Sequence, residues 1–173
     1  MRRMMMKTKK SEFQERTLEV RRVTRVMAGG KRFSFRATVV IGDKRGRVGV
    51  GIAKGLDVAS AVQKAKRQAE KNIVKISLKD NRTVFYDVEA KYGAARVRIK
   101  PAPRGHGLIA GSAARVVLEL VGVRDISAKI LGTTKNKIGN AIATIEALKK
   151  IKTKSKEQQT EKQNENPQPE ITA

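Results

Sequence analysis

The chain has 173 residues, with 39 Lys and Arg against 16 Asp and Glu, a formal net charge of +23, no cysteine and one histidine, His106. Those counts exclude disulfide scaffolds, thiolate zinc sites, thiol catalysis and imidazole metal clusters, and a field of that sign attracts polyanions. Apolar residues at 39% support a core, but aromatics at only 3% make it one of Val, Ile, Leu and Ala, and no apolar run approaches the roughly 18 residues of a membrane span.

Residues 1–14 read as a basic arm. They lack the apolar centre of a secretory signal, and Glu12 and Glu15 come too early for an organellar transit peptide, which points to a cytosolic protein. Leu18, Val20, Val23 and Val26 then mark a strand interleaved with Arg21, Arg22 and Arg25, its spacing slipping once. Residues 27–32 form a loop around Gly29-Gly30-Lys31-Arg32. In the next strand Phe33, Phe35, Ala37, Val39 and Ile41 share the inner face, and Ser34, Arg36 and Thr38 share the other. After the turn Gly42-Asp43-Lys44-Arg45-Gly46, a third strand sets Val48, Val50 and Ile52 on one face and Gly49 and Gly51 on the other. Asp57 is an N-cap for a helix over 58–75, with an apolar stripe of Val58, Ala61, Val62, Ala65, Ala69 and Ile73. The first unit, 15–77, is therefore three antiparallel strands with a packed helix.

A polar break at Lys79-Asp80-Asn81 separates a second α+β unit over 83–152. It reads as a strand near 83–89, the loop Lys91-Tyr92-Gly93, and a strand near 95–100. The glycine-rich loop 101–112 opens a helix over 112–121. A strand near 123–130, a polar loop at 132–137 and a helix over 138–151 follow, with Ile138, Ala141, Ile142, Ile145 and Leu148 as its stripe. Residues 153–173, rich in Lys, Glu, Gln and Asn, have almost nothing to bury and are expected to be disordered.

Residues 29–55 concentrate the chemistry. They hold seven of the 14 glycines and seven cations against one acid, Asp43. Ordinary surfaces mix both signs, so the set Arg21, Arg22, Arg25, Lys31, Arg32, Lys44, Arg45, Arg47 and Lys54 reads as a polyanion surface. Gly29 and Gly30 beside two cations let a backbone approach RNA closely, and the glycine face of the third strand suits a sugar-phosphate chain. Phe33 and Phe35, facing inward, argue against base stacking and for shape and backbone recognition. The loop ahead of Ser112 is a candidate phosphate cradle at a helix N-terminus. It is similar to the loop of small-molecule kinases of the homoserine and mevalonate kinase type, but nothing marks an acidic metal ligand, so catalysis is not expected and no cofactor is implied. His106, between two glycines, reads as an exposed loop residue.

The motifs Gly29-Gly30-Lys31-Arg32-Phe33-Ser34-Phe35, Val40-Ile41-Gly42-Asp43 and Gly46-Arg47-Val48-Gly49-Val50-Gly51 occur in order with Pro101-Ala102 and Gly105-His106-Gly107-Leu108-Ile109-Ala110-Gly111. Together they closely resemble the bacterial small-subunit ribosomal protein S-five family, over about residues 12–151. The resemblance implies a double-stranded-RNA-binding-like N-terminal domain and a C-terminal βαβ-type domain sharing its left-handed fold with the kinases above. It implies a structural constituent of the small subunit that binds ribosomal RNA, neighbours proteins S-four and S-eight, and supports assembly, the passage of messenger RNA into its channel and decoding accuracy. The 27–32 loop looks like the one that reaches the head–body junction near the spectinomycin site. Gly107 and Arg115 match positions at the S-four contact. The sequence departs from the family at Gly132-Thr133-Thr134-Lys135-Asn136-Lys137, which is one residue longer and lacks a proline, and at Arg104 and His106. The alternatives are a free double-stranded-RNA-binding regulator and a phosphate-binding enzyme dependent on Ser112.

Overall fold

Strands β1 (Gln14–Met27) and β2 (Gly30–Gly42) pair antiparallel along almost their full length, joined by a two-residue turn at Ala28 and Gly29. The structure, a computed structural model, describes residues 12–151. Most of the expected basic arm and the whole of the expected disordered tail lie outside those residues. A bulge at Leu18 breaks the register between Thr17 and Glu19 and turns Leu18 into the larger core. Beyond it Val20 and Val26 fall on one face and Val23 on the other, so the slipping apolar spacing marks a strand that leaves the core.

Strand β3 (Arg47–Gly55) pairs with β2, and the helix α1 (Val58–Lys71) crosses behind them. Asp57 caps α1 by accepting the Ala59 amide at 3.2 Å. The helix stops short of the expected residue 75. Asn72 ends it, and the β-branched pair Ile73 and Val74 goes extended, with β4 (Val74–Lys75) adding a fourth strand beside β3. The sheet order is β1-β2-β3-β4, one strand more than expected.

In the second sheet β5 (Val88–Tyr92), β6 (Ala95–Pro101), β8 (Ile126–Ile130) and β7 (Leu108–Ile109) lie in that order. The expected strand at 83–89 begins later, because Lys79 and Thr83 instead bridge a tight turn with Asp80 and Asn81 at positive φ. Tyr92, expected in a loop, pairs with Ala95 inside the hairpin. Likewise Leu108 and Ile109, read as loop, form a short parallel pairing with β8. The helix α2 (Ser112–Val121) is the crossover between β7 and β8, and α3 (Lys137–Lys149) closes the unit. Strand alternation is clean in β6: Ala95, Val97 and Ile99 are buried, and Arg96, Arg98 and Lys100 are exposed.

The two halves share a core. Val40, Val48 and Val50 from the first sheet join Val97, Ile99 and Ile126 from the second, with Leu118, Val121 and Leu148 from the helices. The joint has a defined mechanism. The last carbonyls of a helix lack partners, and here the β2–β3 turn supplies them: Lys44 and Gly46 donate amides to Leu120 and Val121, each at 2.9 Å. Gly122 ends α2 at φ 95°, and a Cβ there would lie 2.2 Å from the Lys44 carbonyl oxygen, so only glycine permits this docking.

Candidate nucleic-acid interface

The last row in which β3 accompanies β2 is Phe35 opposite Gly55. From Ser34 to Gly30, β2 has only β1 beside it, a two-stranded ribbon of five rows, or about 15 Å. Arg21, Arg22, Arg25, Gly29, Gly30, Lys31 and Arg32 are all exposed on this hairpin. The expected 27–32 loop is thus mostly strand: Lys31 pairs with Val26 and Arg32 with Arg25. Among the described residues, chain neighbours aside, nothing comes within 4 Å of where a Cβ on Gly29 or Gly30 would stand.

Directly paired residues share a face in an antiparallel sheet. On the face away from α1, Arg21, Arg36 and Lys54 form one row across three strands, and Arg25 opposite Arg32 forms another. Like charges directly opposed are destabilising, so these rows are tolerated for something other than stability. Glu19 pairs with Arg21 at 2.8 Å. Arg36, half-buried, was absent from the expected contact set. Its alternation with Ser34 and Thr38 was readable, but its register with Lys54 was not. The rows begin where the cover of the second unit ends, since Thr38 and Val40 on this same face are buried.

The other expected cations are not on the ribbon. Lys44 and Arg45 lie at the opposite end of β2, roughly 40 Å away along a strand of this length. There, with Arg124 and Glu119, they rim a cleft of about 560 Å³ between the two units. Arg47 is engaged internally: it pairs with Asp43 at 2.5 Å and Glu12 at 3.7 Å, and its guanidinium lies 5.0 Å from the Phe13 ring. Burial pushes the Asp43 carboxyl up, but the Arg47 hydrogen bond and the amides of Arg45 and Arg47 outweigh it and hold it below its ordinary value.

Three expectations about site chemistry are corrected. The glycine face of β3 is not open to a nucleic acid. Gly49 and Gly51 lie under α1, where a Cβ would stand 2.4 Å from the Ala69 carbonyl oxygen and 2.0 Å from that of Ala65. Phe33 is not in the core. It is 48% exposed, whereas Phe35 packs against the Ala37, Val39 and Ile41 cluster under α1. Finally, the glycine loop is partly closed to a phosphate, because two of its amides are already taken. Its Gly105 and Gly107 amides each donate to Asp125 Oδ1 at 3.0 Å.

Asp125 was not foreseen. It is 2% exposed, and its Oδ2 accepts from Arg82 Nε at 2.5 Å. The Arg82 hydrogen bond first, then the Gly107 amide, hold its carboxyl below the ordinary range despite burial. This centre fixes the loop that carries Gly107, beside which Arg115 is exposed and donates to the Leu108 carbonyl at 3.3 Å.

Fold and surface together define a class: a basic α+β protein whose two units share a core and carry a projecting cationic ribbon. The chain belongs to the ribosomal protein S5 family. The family's N-terminal domain matches residues 13–77, and its C-terminal domain matches residues 90–162. A small ribosomal subunit protein uS5c of Cyanophora paradoxa is 48% identical over 84% of this chain and 85% of its own length. Proteins called uS5 from Synechococcus elongatus and Thermus thermophilus are each 46% identical over 84% of this chain, covering 80% and 88% of those proteins. As a member of this family it is an RNA-binding structural protein of the small ribosomal subunit, part of the translation apparatus and not an enzyme. Among the described residues no helix is long and apolar enough to cross a membrane.

Proposed function

We propose that the β1–β2 ribbon is the main ribosomal RNA contact, formed by Arg21, Arg22, Arg25, Lys31 and Arg32 with Gly29 and Gly30 at its tip, and extended by Arg36 and Lys54. Lys44 and Arg45 form a second, separate contact at the cleft, and Arg47 acts by bracing their turn. The observation that carries this reading is the opposed cationic rows, Arg21–Arg36–Lys54 and Arg25–Arg32. Phosphate oxygens between such rows relieve the repulsion that the protein alone cannot. In this reading the protein works in the cytoplasm, bound to the small subunit. The cleft and the loop at Gly107 and Arg115 face neighbouring components: proteins S-four and S-eight, and messenger RNA where it enters its channel. Support for assembly and decoding accuracy follows from holding those neighbours in place. The family resemblance supports these finer assignments, and the exposure of Arg115 beside an anchored loop fits them.

The test is a joint Arg25→Gln and Arg32→Gln change. Each lost phosphate contact lowers the slope of log affinity against log salt by about one, so the pair should lower it by about two for small-subunit RNA. Thermal stability should stay level or rise, because an opposed like-charge pair has been removed. An unchanged salt slope, or cosedimentation with small subunits that ignores the change, would assign the rows to ordinary surface. Recovery of the protein only off the ribosome would instead favour a free duplex-RNA regulator.

A further inference from the structure

The ribbon's two faces differ in chemistry. The face away from α1 is dominated by Arg21, Arg25, Arg32, Arg36 and Lys54. The α1-side face carries Phe33, with Arg22, Thr24, Val26 and Lys31 around it by register. Phe35, two residues on, is on the same face but under the helix, so Phe33 is the first ring beyond the cover of α1. Half its surface is open, and the Arg22 guanidinium sits 4.8 Å from its centroid. The exposed apolar surface on this face, Phe33 with Val20 and Val26, is far too small for a protein partner, which needs about 800 Å² on each side. A nucleobase needs only one ring, and the surrounding cations suit the phosphates on either side of it.

We propose that Phe33 is a stacking site for one unpaired nucleobase of the RNA whose phosphates the opposite face holds. The inference rests on the RNA reading above and adds to it. A base inside a duplex already has neighbours on both faces, so an isolated ring can take only a base that is bulged, looped or splayed out. Among the ribbon's residues no second open ring lies beside Phe33, which limits the site to a single base. Arg22 already lies over one face of the ring, and it is placed either to stay there while a base takes the other face or to turn to the adjoining phosphate.

The experiment uses the full chain and two RNA hairpins of equal length and charge, one fully paired and one with a single unpaired adenosine. Wild type should prefer the bulged hairpin. Phe33→Leu keeps an apolar neighbour for Arg22 but removes the π face. It should weaken bulged-hairpin binding about ten-fold and leave paired-hairpin binding within about two-fold. Phe33→Tyr should retain the preference. With 5-bromouridine at the unpaired position, long-wavelength irradiation should cross-link the peptide containing Phe33. If wild type binds both hairpins but Phe33→Leu weakens both alike or neither, the stacking site is wrong and the RNA reading survives. If wild type binds neither hairpin, both fall.

Discussion

Asp125 uses both carboxylate oxygens at one junction: two glycine amides on Oδ1 and the Arg82 guanidinium on Oδ2. The Arg82 carbonyl also accepts the Arg124 and Asp125 amides, at 2.9 and 3.2 Å, so the link between the units, the Gly107 loop and the approach to β8 meet at one side chain. Its pKa lies below the ordinary 3.8. A carboxyl with a depressed folded-state pKa contributes stability above its unfolded value, and loses it as pH falls through the folded value. The wild-type melting temperature should therefore be flat near neutrality and decline below about pH 4. Asp125→Asn should melt lower than wild type at pH 7, and its curve should fall less steeply in acid. It should also loosen amide exchange at Gly105 and Gly107. Parallel acid curves for the two proteins would show that Arg82 contributes nothing through charge. No composition or spacing rule singles out Asp125, because its partners are one backbone loop and one arginine distant in sequence.

The glycine pattern of β3 was legible as a close approach, but the identity of the approaching backbone was not. An RNA chain and an α-helix both require a side-chain-free face. The discriminating signal is on α1, where Ala61, Ala65 and Ala69 recur every fourth residue and are fully buried. Alanine on the helix and glycine on the strand together specify a closely packed helix–sheet pair. A Cβ on Gly51 would meet backbone at 2.0 Å, and no rotamer change relieves a backbone clash. Gly51→Val should thus destabilise the protein at the upper end of the overpacking range, about 3 kcal/mol or more, measured by denaturant unfolding. A loss below about 1 kcal/mol would mean that α1 can lift away, and would reopen that face to a ligand. The same limit explains Phe33. Alternation assigns its face correctly, yet only the length of α1 decides that Phe35 is covered and Phe33 is not. The strands and helices themselves were mostly readable from periodicity. The errors fell where pairing partners decide the state, at Lys31, Val74, Thr83, Tyr92 and Leu108.

At the scale of the whole molecule, a chain with a net charge of +23 folds against its own repulsion. What opposes that repulsion is a core drawn from both units, with α2 between them and its carbonyl end capped by the β2–β3 turn. We propose that the units expected at 15–77 and 83–152 unfold as one, since Val40 and Val48 share a buried cluster with Leu118 and Val121. Thermal unfolding should show a single transition, with amides of β2 and of β6 exchanging at the same free energy. Leu118→Ala, at a fully buried position, should lower that common value by about 2–5 kcal/mol and keep the two regions in step. Raising the salt should stabilise the isolated protein by screening the cationic rows, while weakening its hold on RNA. Two resolved transitions, or a Leu118→Ala effect confined to β6, would make the joint at Gly122 a hinge between independent domains. The ribbon would then be presented to RNA by a movable half rather than by a rigid whole.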